Sequence, residues 1–401
     1  MTTSASRPAG LLSGASSAEI RDSMPVLLTR PLTRLTGKPR TGERPGHTTP
    51  TRHLVNAVVS IAAGLTVSAL ALGAGGWALL ALLPGWAMTL HGQRNLRMMI
   101  FHQAAHRNMW ARRRPDRIVG RVVAGVLMVQ DFEAYSTEHV QDHHAIHHMT
   151  VRDPTVQVFL LTLRMRAGMP SRQMWRILLR TLVNPVFHLR FAISRVRSYV
   201  RGASRSGRWI TAGAYLAVAA AATLWHGWIF LLVAWFLPLT LFYQVSNTLR
   251  LCVKHTFPPA GTTERRGKAY FGSLTNAIFL GEPAPSPGLR GPARAAAWLR
   301  WWCRMLLVHF PARYLVLTGD TVCHDFHHRY PMSRSWADYI YERQRDIDAG
   351  HPGWPPYREV WGLVPAIGVV FDSLSAADPE LYDPALISGV EDADLFTAFD
   401  D

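Results

Sequence analysis

Two long runs without a formal charge constrain this chain more than any other feature. Residues 54–93 contain no Asp, Glu, Lys or Arg across 40 positions, and residues 209–249 contain none across 41. A bilayer core of about 30 Å is crossed by about 20 helical residues, so each run is long enough to cross twice. Gly73-Ala74-Gly75-Gly76 lies near the middle of the first run and His226-Gly227 near the middle of the second. The expectation is an all-α membrane protein with four transmembrane helices in two hairpins that turn at those places. Trp225 and Trp228 flank the second turn as an aromatic belt would.

Charge sets the orientation. The chain carries 43 Lys and Arg against 27 Asp and Glu, a formal net charge of +16. Residues 94–208, between the runs, are Arg-rich, and the positive-inside rule puts them on the cytoplasmic face, beside anionic lipid. The same basic residues surround apolar spans and accompany no recognised nucleic-acid module, so nucleic acid is not an expected partner. Cys252, Cys303 and Cys323 form no CxxC pair, which excludes a zinc ribbon, a built-in rubredoxin-like iron centre and a disulfide framework.

Three segments are expected. Residues 1–53, rich in Ser, Thr, Pro, Gly and Arg, read as a mostly disordered basic leader. Residues 54–345 read as the membrane domain, with interfacial or buried helices at 118–129, 164–201 and 298–317 and a loop at 262–294. Residues 346–401 read as a C-terminal segment whose tail, without Lys or Arg after Arg358, is solvated and partly disordered. Two hairpins leave both termini and the polar segments on one side, where they form a cytoplasmic helical cap.

That cap holds the histidines. Of 18 in the chain, seven fall between residues 102 and 148. His102 and His106 stand four apart, so on a helix they share one face. His139 and His143 repeat the spacing, with His144 on the adjoining face; His324, His327 and His328 can point inward from one turn. HxxxH, HxxxHH and HxxHH supply eight imidazoles, whereas one metal takes about four to six ligands. Two metals are the economical inference. His255 follows the second apolar run at the same membrane face and is a ninth candidate. A metal transporter or other non-redox metal-binding membrane protein would use similar residues, but would ordinarily place ionisable groups inside its crossings.

This set, arranged around two apolar hairpins, resembles the integral-membrane di-iron family of fatty acid desaturases, alkane monooxygenases and lipid hydroxylases. The segment Glu138 to His144, EHVQDHH, is similar to the second box of the alkane monooxygenases; Asp153-Pro154 and the HHRYP that starts at His327 look more like bacterial desaturases. The resemblance implies nine ligands, His102, His106, His139, His143, His144, His255, His324, His327 and His328, with Lys254 standing where the monooxygenases place Glu before the isolated histidine. His144, His147 and His148 form HxxHH, an alternative register of the second box; Glu138 favours the first register. Asp131, Glu138, Asp142, Asp153, Asp320 and Asp325 are the acids available to hold a ligating ring through its other N–H.

The resemblance further implies two iron ions, O2 as co-substrate and attack on an unactivated C–H bond of a lipid chain. Loss of a second hydrogen gives the alkene of fatty acid desaturation; return of oxygen gives hydroxylation of an alkyl, fatty acyl or terpenoid chain. Electrons would come from a separate donor such as ferredoxin or rubredoxin with its reductase, because only 48 residues follow His351-Pro352-Gly353, too few for a fused haem domain. The expected location is a bacterial inner membrane, with the metal site and both termini cytoplasmic.

Overall fold

The computed structural model describes residues 16–110, 113–139, 147–262, 267–390, 395, 396 and 399. Helices dominate; the strands among the described residues are Ala277–Phe279 and Glu359–Trp361, a parallel pair with Ala277 opposite Glu359 and Phe279 opposite Trp361.

The first apolar run forms a hairpin. Pro50–Ala74 begins with Pro at its first position and with the Thr49 hydroxyl accepting from Arg52 N at 3.2 Å, a start that suits proline's fixed φ and satisfies an otherwise orphaned N–H. It ends at Gly75 and Gly76, whose φ values of 63° and 53° lie in the left-handed region. The chain returns through Gly76–Ala81 and Leu82–Asn95. Small residues let the arms touch: a Cβ on Gly64 would sit 2.5 Å from Thr89 N, and one on Gly92 2.5 Å from Ala57 O. Such close approach gains dispersion contacts that lipid tails do not supply between bulkier surfaces.

The second run also turns where expected, at His226 (φ 52°) and Gly227, between Arg205–Leu224 and the continuous helix Trp228–Lys254. Trp86 Nε1 donates to Val233 O at 2.8 Å and docks that helix on the first hairpin. Pro50–Ala74 and Trp228–Lys254 are the two described helices long and apolar enough to cross a membrane. Leu82–Asn95 has only 14 residues, and Arg205–Leu224 is rich in Ala and Gly and begins with Arg205 and Arg208. Trp209, Ile210, Leu216 and Leu224 on the latter are nevertheless exposed, an apolar surface suited to lipid.

Three segments depart from expectation. The basic leader is folded from Ser16, which caps Ser17–Asp22, and the buried Arg21 donates to Lys38 O, Thr29 O and Thr33 Oγ1 at 3.0, 2.8 and 2.8 Å. A guanidinium with several donors can organise backbone that has few large apolar residues. The expected loop at 262–294 contains Gly267–Ser273 and the strand Ala277–Phe279, because Leu274 and the apolar run from Ala277 to Leu280 are buried. The C-terminal segment is not simply solvated: Leu363–Ser375 buries Ile367, Val370, Phe371 and Leu374, while Phe396 and Phe399 pack on Phe187 and Phe191. Its excess of acids conceals apolar residues at helical spacing.

The amphipathic helices lie where the sequence places them. Arg113–Leu127 buries Val123, Ala124 and Leu127 and exposes Ile118, Val122 and Val126; Ser171–Leu182 and Pro185–Gly202 account for the second, and the end of Gly291–Arg304 with the π segments Met305–His309 and Ala312–Val316 for the third.

Candidate metal centre

The returning arm of the first hairpin carries on beyond the apolar run. Leu82–Asn95 passes through a wide π turn, Leu96–Phe101, into His102–Ala105, and every residue of the π turn is buried. A turn with an inserted residue re-aims the side chains beyond it and frequently marks functional sites. Here it leads directly to the first histidine pair. The His102 and His106 ring centroids lie 5.1 Å apart. His139, at the end of Phe132–Glu138, brings its Nε2 to 2.8 Å from His102 Nε2 and 3.1 Å from His106 Nε2. His327 closes the group, its ring 4.5 Å from that of His102 and 4.9 Å from that of His106. All four residues are buried.

A second group stands beside the first. His255 leaves the end of Tyr243–Lys254 in extended conformation and forms a bridge with Thr275. Its ring lies 4.5 Å from that of His148 and 4.7 Å from that of His328, and the last two are 4.9 Å apart. His324 borders this group, with Nε2 3.1 Å from His328 Nε2 and its ring 5.1 Å from that of His255. Within each group the available ligand atoms fall within 4.8 Å of one another. One short helix, His324–Arg329, serves both: His327 faces the first group and His328 the second, with ring centroids 5.9 Å apart.

The donor set suits a metal. Three Nε2 atoms converge at His139, and a ring nitrogen carries at most one proton, so a cation satisfies such converging lone pairs better than hydrogen bonds do. Burial, followed by the neighbouring His327, His139, His106 and His324, holds His102 well below the usual imidazole range. It is thus neutral, the form that binds metal. His102 Nδ1 is buried without a hydrogen-bond partner among the described residues. Imidazole nitrogen is accepted by iron and by zinc alike.

The second histidine cluster divides between the groups. His139, from the favoured register, enters the first, and His148, from the alternative, enters the second. His147 enters neither; its carbonyl accepts from Thr150 N and Oγ1 in a turn. His143, His144 and Asp142 lie outside the described residues.

The other candidate acids do several jobs. Asp153, fully buried, places Oδ2 3.3 Å from His148 Nδ1 and accepts from Met149 N and Thr155 N. Asp320 accepts from Gln103, next to His102, and burial pushes its carboxyl up to about 6 against that bond and the nearby Arg250. Asp131 caps Phe132–Glu138, and Glu138 accepts from Gln130. Asp325, between His324 and His327, is held by Arg343 through contacts of 3.0, 3.0 and 2.8 Å. Arg343 also reaches Glu359 at 2.8 Å, and Glu359 accepts from Lys38 at 3.0 Å. This buried chain ties the third histidine box to the strand pair and to the leader. Sequence reasoning missed Arg343, Glu359 and Lys38, since residues so far apart leave no spacing signal. His148 had one: Asp153-Pro154 follows it closely.

Residues 75–331, more than half of the chain, match the family model described as Fatty acid desaturase. No curated protein matches the chain.

Proposed function

Because the chain belongs to the fatty acid desaturase family, we propose that it is an O2-dependent, membrane di-iron oxidoreductase that desaturates the acyl chain of a lipid. The family makes it an oxidoreductase of lipid metabolism associated with membranes. The observation that supports two irons is the pair of adjacent all-imidazole groups joined by His324–Arg329. His102, His106, His139 and His327 would hold one iron; His148, His255 and His328, bordered by His324, would hold the other. His143 and His144 remain proposed ligands from the family resemblance alone.

Bound irons would supply the activation of O2 needed to take hydrogen from an unactivated C–H bond. The protein's part is to hold and protect. Burial keeps the His102 ring neutral and excludes bulk water from all four imidazoles of the first group. Asp153 steadies His148, and the Arg343 clamp on Asp325 fixes the helix that both groups share. Such supporting contacts set ring orientation and ligand basicity. Electrons would arrive from a separate carrier of the ferredoxin or rubredoxin kind. The location proposed is a bacterial inner membrane, and the placement of basic residues supports the centre and both termini on its cytoplasmic side.

The test is lipid analysis of a host expressing the chain, with air and without it, beside His106→Ala. The reading expects a new acyl double bond that needs O2 and disappears in the variant. A hydroxylated chain would assign the alternative, hydroxylation. An iron-loaded protein supplied with electrons that leaves every lipid unchanged would contradict both.

A further inference from the structure

A cleft of about 760 Å³ opens beside the start of Pro50–Ala74, between the leader and residues 302–341. Its volume falls among those of sites for small ligands, about 300–1,000 Å³. Its lining is amphipathic. Arg30, Arg34 and Arg52 stand at its exposed edge, and no ion pair occupies their guanidinium groups among the described residues. The carboxylate there, Asp338, is already engaged by Thr48 N at 2.6 Å and His47 Nδ1 at 2.8 Å. Leu306, Phe310 and Ala57 supply apolar wall, the first two also exposed to the outside.

The deep end approaches the metal centre. His91, stacked on Tyr314 at 3.7 Å, and Asn95 line it together with Gly319. A Cβ on Gly319 would lie 2.0 Å from Met99 Sδ, so the Met99 side chain stands directly behind the cleft wall. Met99 belongs to the π turn that leads into His102, and Asp320, next to Gly319, bonds Gln103. The cleft therefore runs from a cationic edge beside the start of Pro50–Ala74 to a wall backed by the turn that precedes the first histidine.

We infer that this cleft holds an anionic phospholipid, its head group on Arg30, Arg34 and Arg52 and an acyl chain directed along the apolar wall towards Gly319 and Met99. Charge complementarity selects the head group, and the exposed Leu306 and Phe310 beside a membrane-crossing helix select a ligand that arrives from the bilayer. The inference rests on the lipid-oxidation reading for the fate of the chain, but not for binding.

Native mass spectrometry of the delipidated full chain tests it, with phosphatidylglycerol, phosphatidylcholine of the same chains and oleate as probes. Phosphatidylglycerol should be retained at least about tenfold better than phosphatidylcholine. The combined Arg30→Gln, Arg34→Gln and Arg52→Gln variant should lose that preference. Asn56→Trp, at an exposed position on the wall, should reduce binding of both phospholipids. Arg172→Gln, Arg176→Gln and Arg180→Gln together remove equal charge from another helix and should change nothing. Equal retention of the two phospholipids, equal loss in the control variant, or a preference for oleate would each overturn the assignment. Iron content measured on the same samples separates the two ideas: lipid selectivity without iron sinks the reaction and leaves the cleft, and iron without selectivity does the reverse.

Discussion

The two histidine groups differ in how they are made. The first is built around one helix: His102 and His106 stand a turn apart on the continuation of the first hairpin's returning arm, and His139 and His327 close onto them. The second has no such helix. His148 comes from a turn, His255 from an extended residue beyond a helix end and His328 from the third box. Its geometry depends on long-range packing, and its His328 is only partly buried. Local spacing can make one histidine group, while the other waits on the tertiary fold.

The largest effect should come from breaking each group in turn. His327→Ala and His148→Ala should both abolish product formation, losing more than the roughly 10–100-fold that removal of a supporting contact costs. The first should lose iron from the helix-built group and keep up to one iron per chain; the second should do the converse. Iron analysis with a spectroscopic probe of the remaining site checks this, and identical loss of all metal in both variants would mean the groups are not separable.

Arg343→Met is next. It leaves the buried Asp325 carboxylate without its clamp, and breaking a buried pair in this way costs about 3–5 kcal/mol. Thermal unfolding in detergent should fall accordingly. Iron should be lost from both groups, since His324–Arg329 serves both. Loss confined to one group would show that the helix is held elsewhere.

A smaller effect is expected from acid. Burial alone would raise the Glu359 carboxyl, but Arg343 and Lys38 outweigh it and bring it down to about 2. A carboxyl depressed from an unfolded value near 4.5 stabilises the fold fully above that pH and loses its contribution as pH falls towards 2. Melting curves between pH 7 and 3 should therefore decline, and Glu359→Gln should flatten the decline. A variant that falls as steeply as the parent would remove Glu359 as its source.

The smallest effect is none. His351 bonds Trp354 O at 2.9 Å within its own turn and belongs to neither group, so His351→Ala should keep metal and activity. A loss of iron there would place a histidine in the centre that the geometry leaves out.

The same contrast explains how far the sequence could be read. The apolar runs and their turns at Gly75-Gly76 and His226-Gly227 were legible because an uncharged stretch about twice the length of one crossing helix needs a break near its middle. The pair at His102 and His106 was legible through helical spacing. Whether the second cluster used His139 or His148 was not, because its residues separate to two groups and no single helical register describes that. The leader from Ser16 and the tail around Phe371 and Phe396 were hidden for a different reason. Each is anchored by a few residues, Arg21 in one and apolar side chains in the other, within composition that otherwise signals disorder.

Metal content of the freshly purified full-length protein tests the central claim most directly. Elemental analysis should find two irons per chain, one for each histidine group. Stoichiometric zinc after reconstitution with either metal, or a single metal per chain, would contradict a di-iron centre and favour a non-redox metal-binding role.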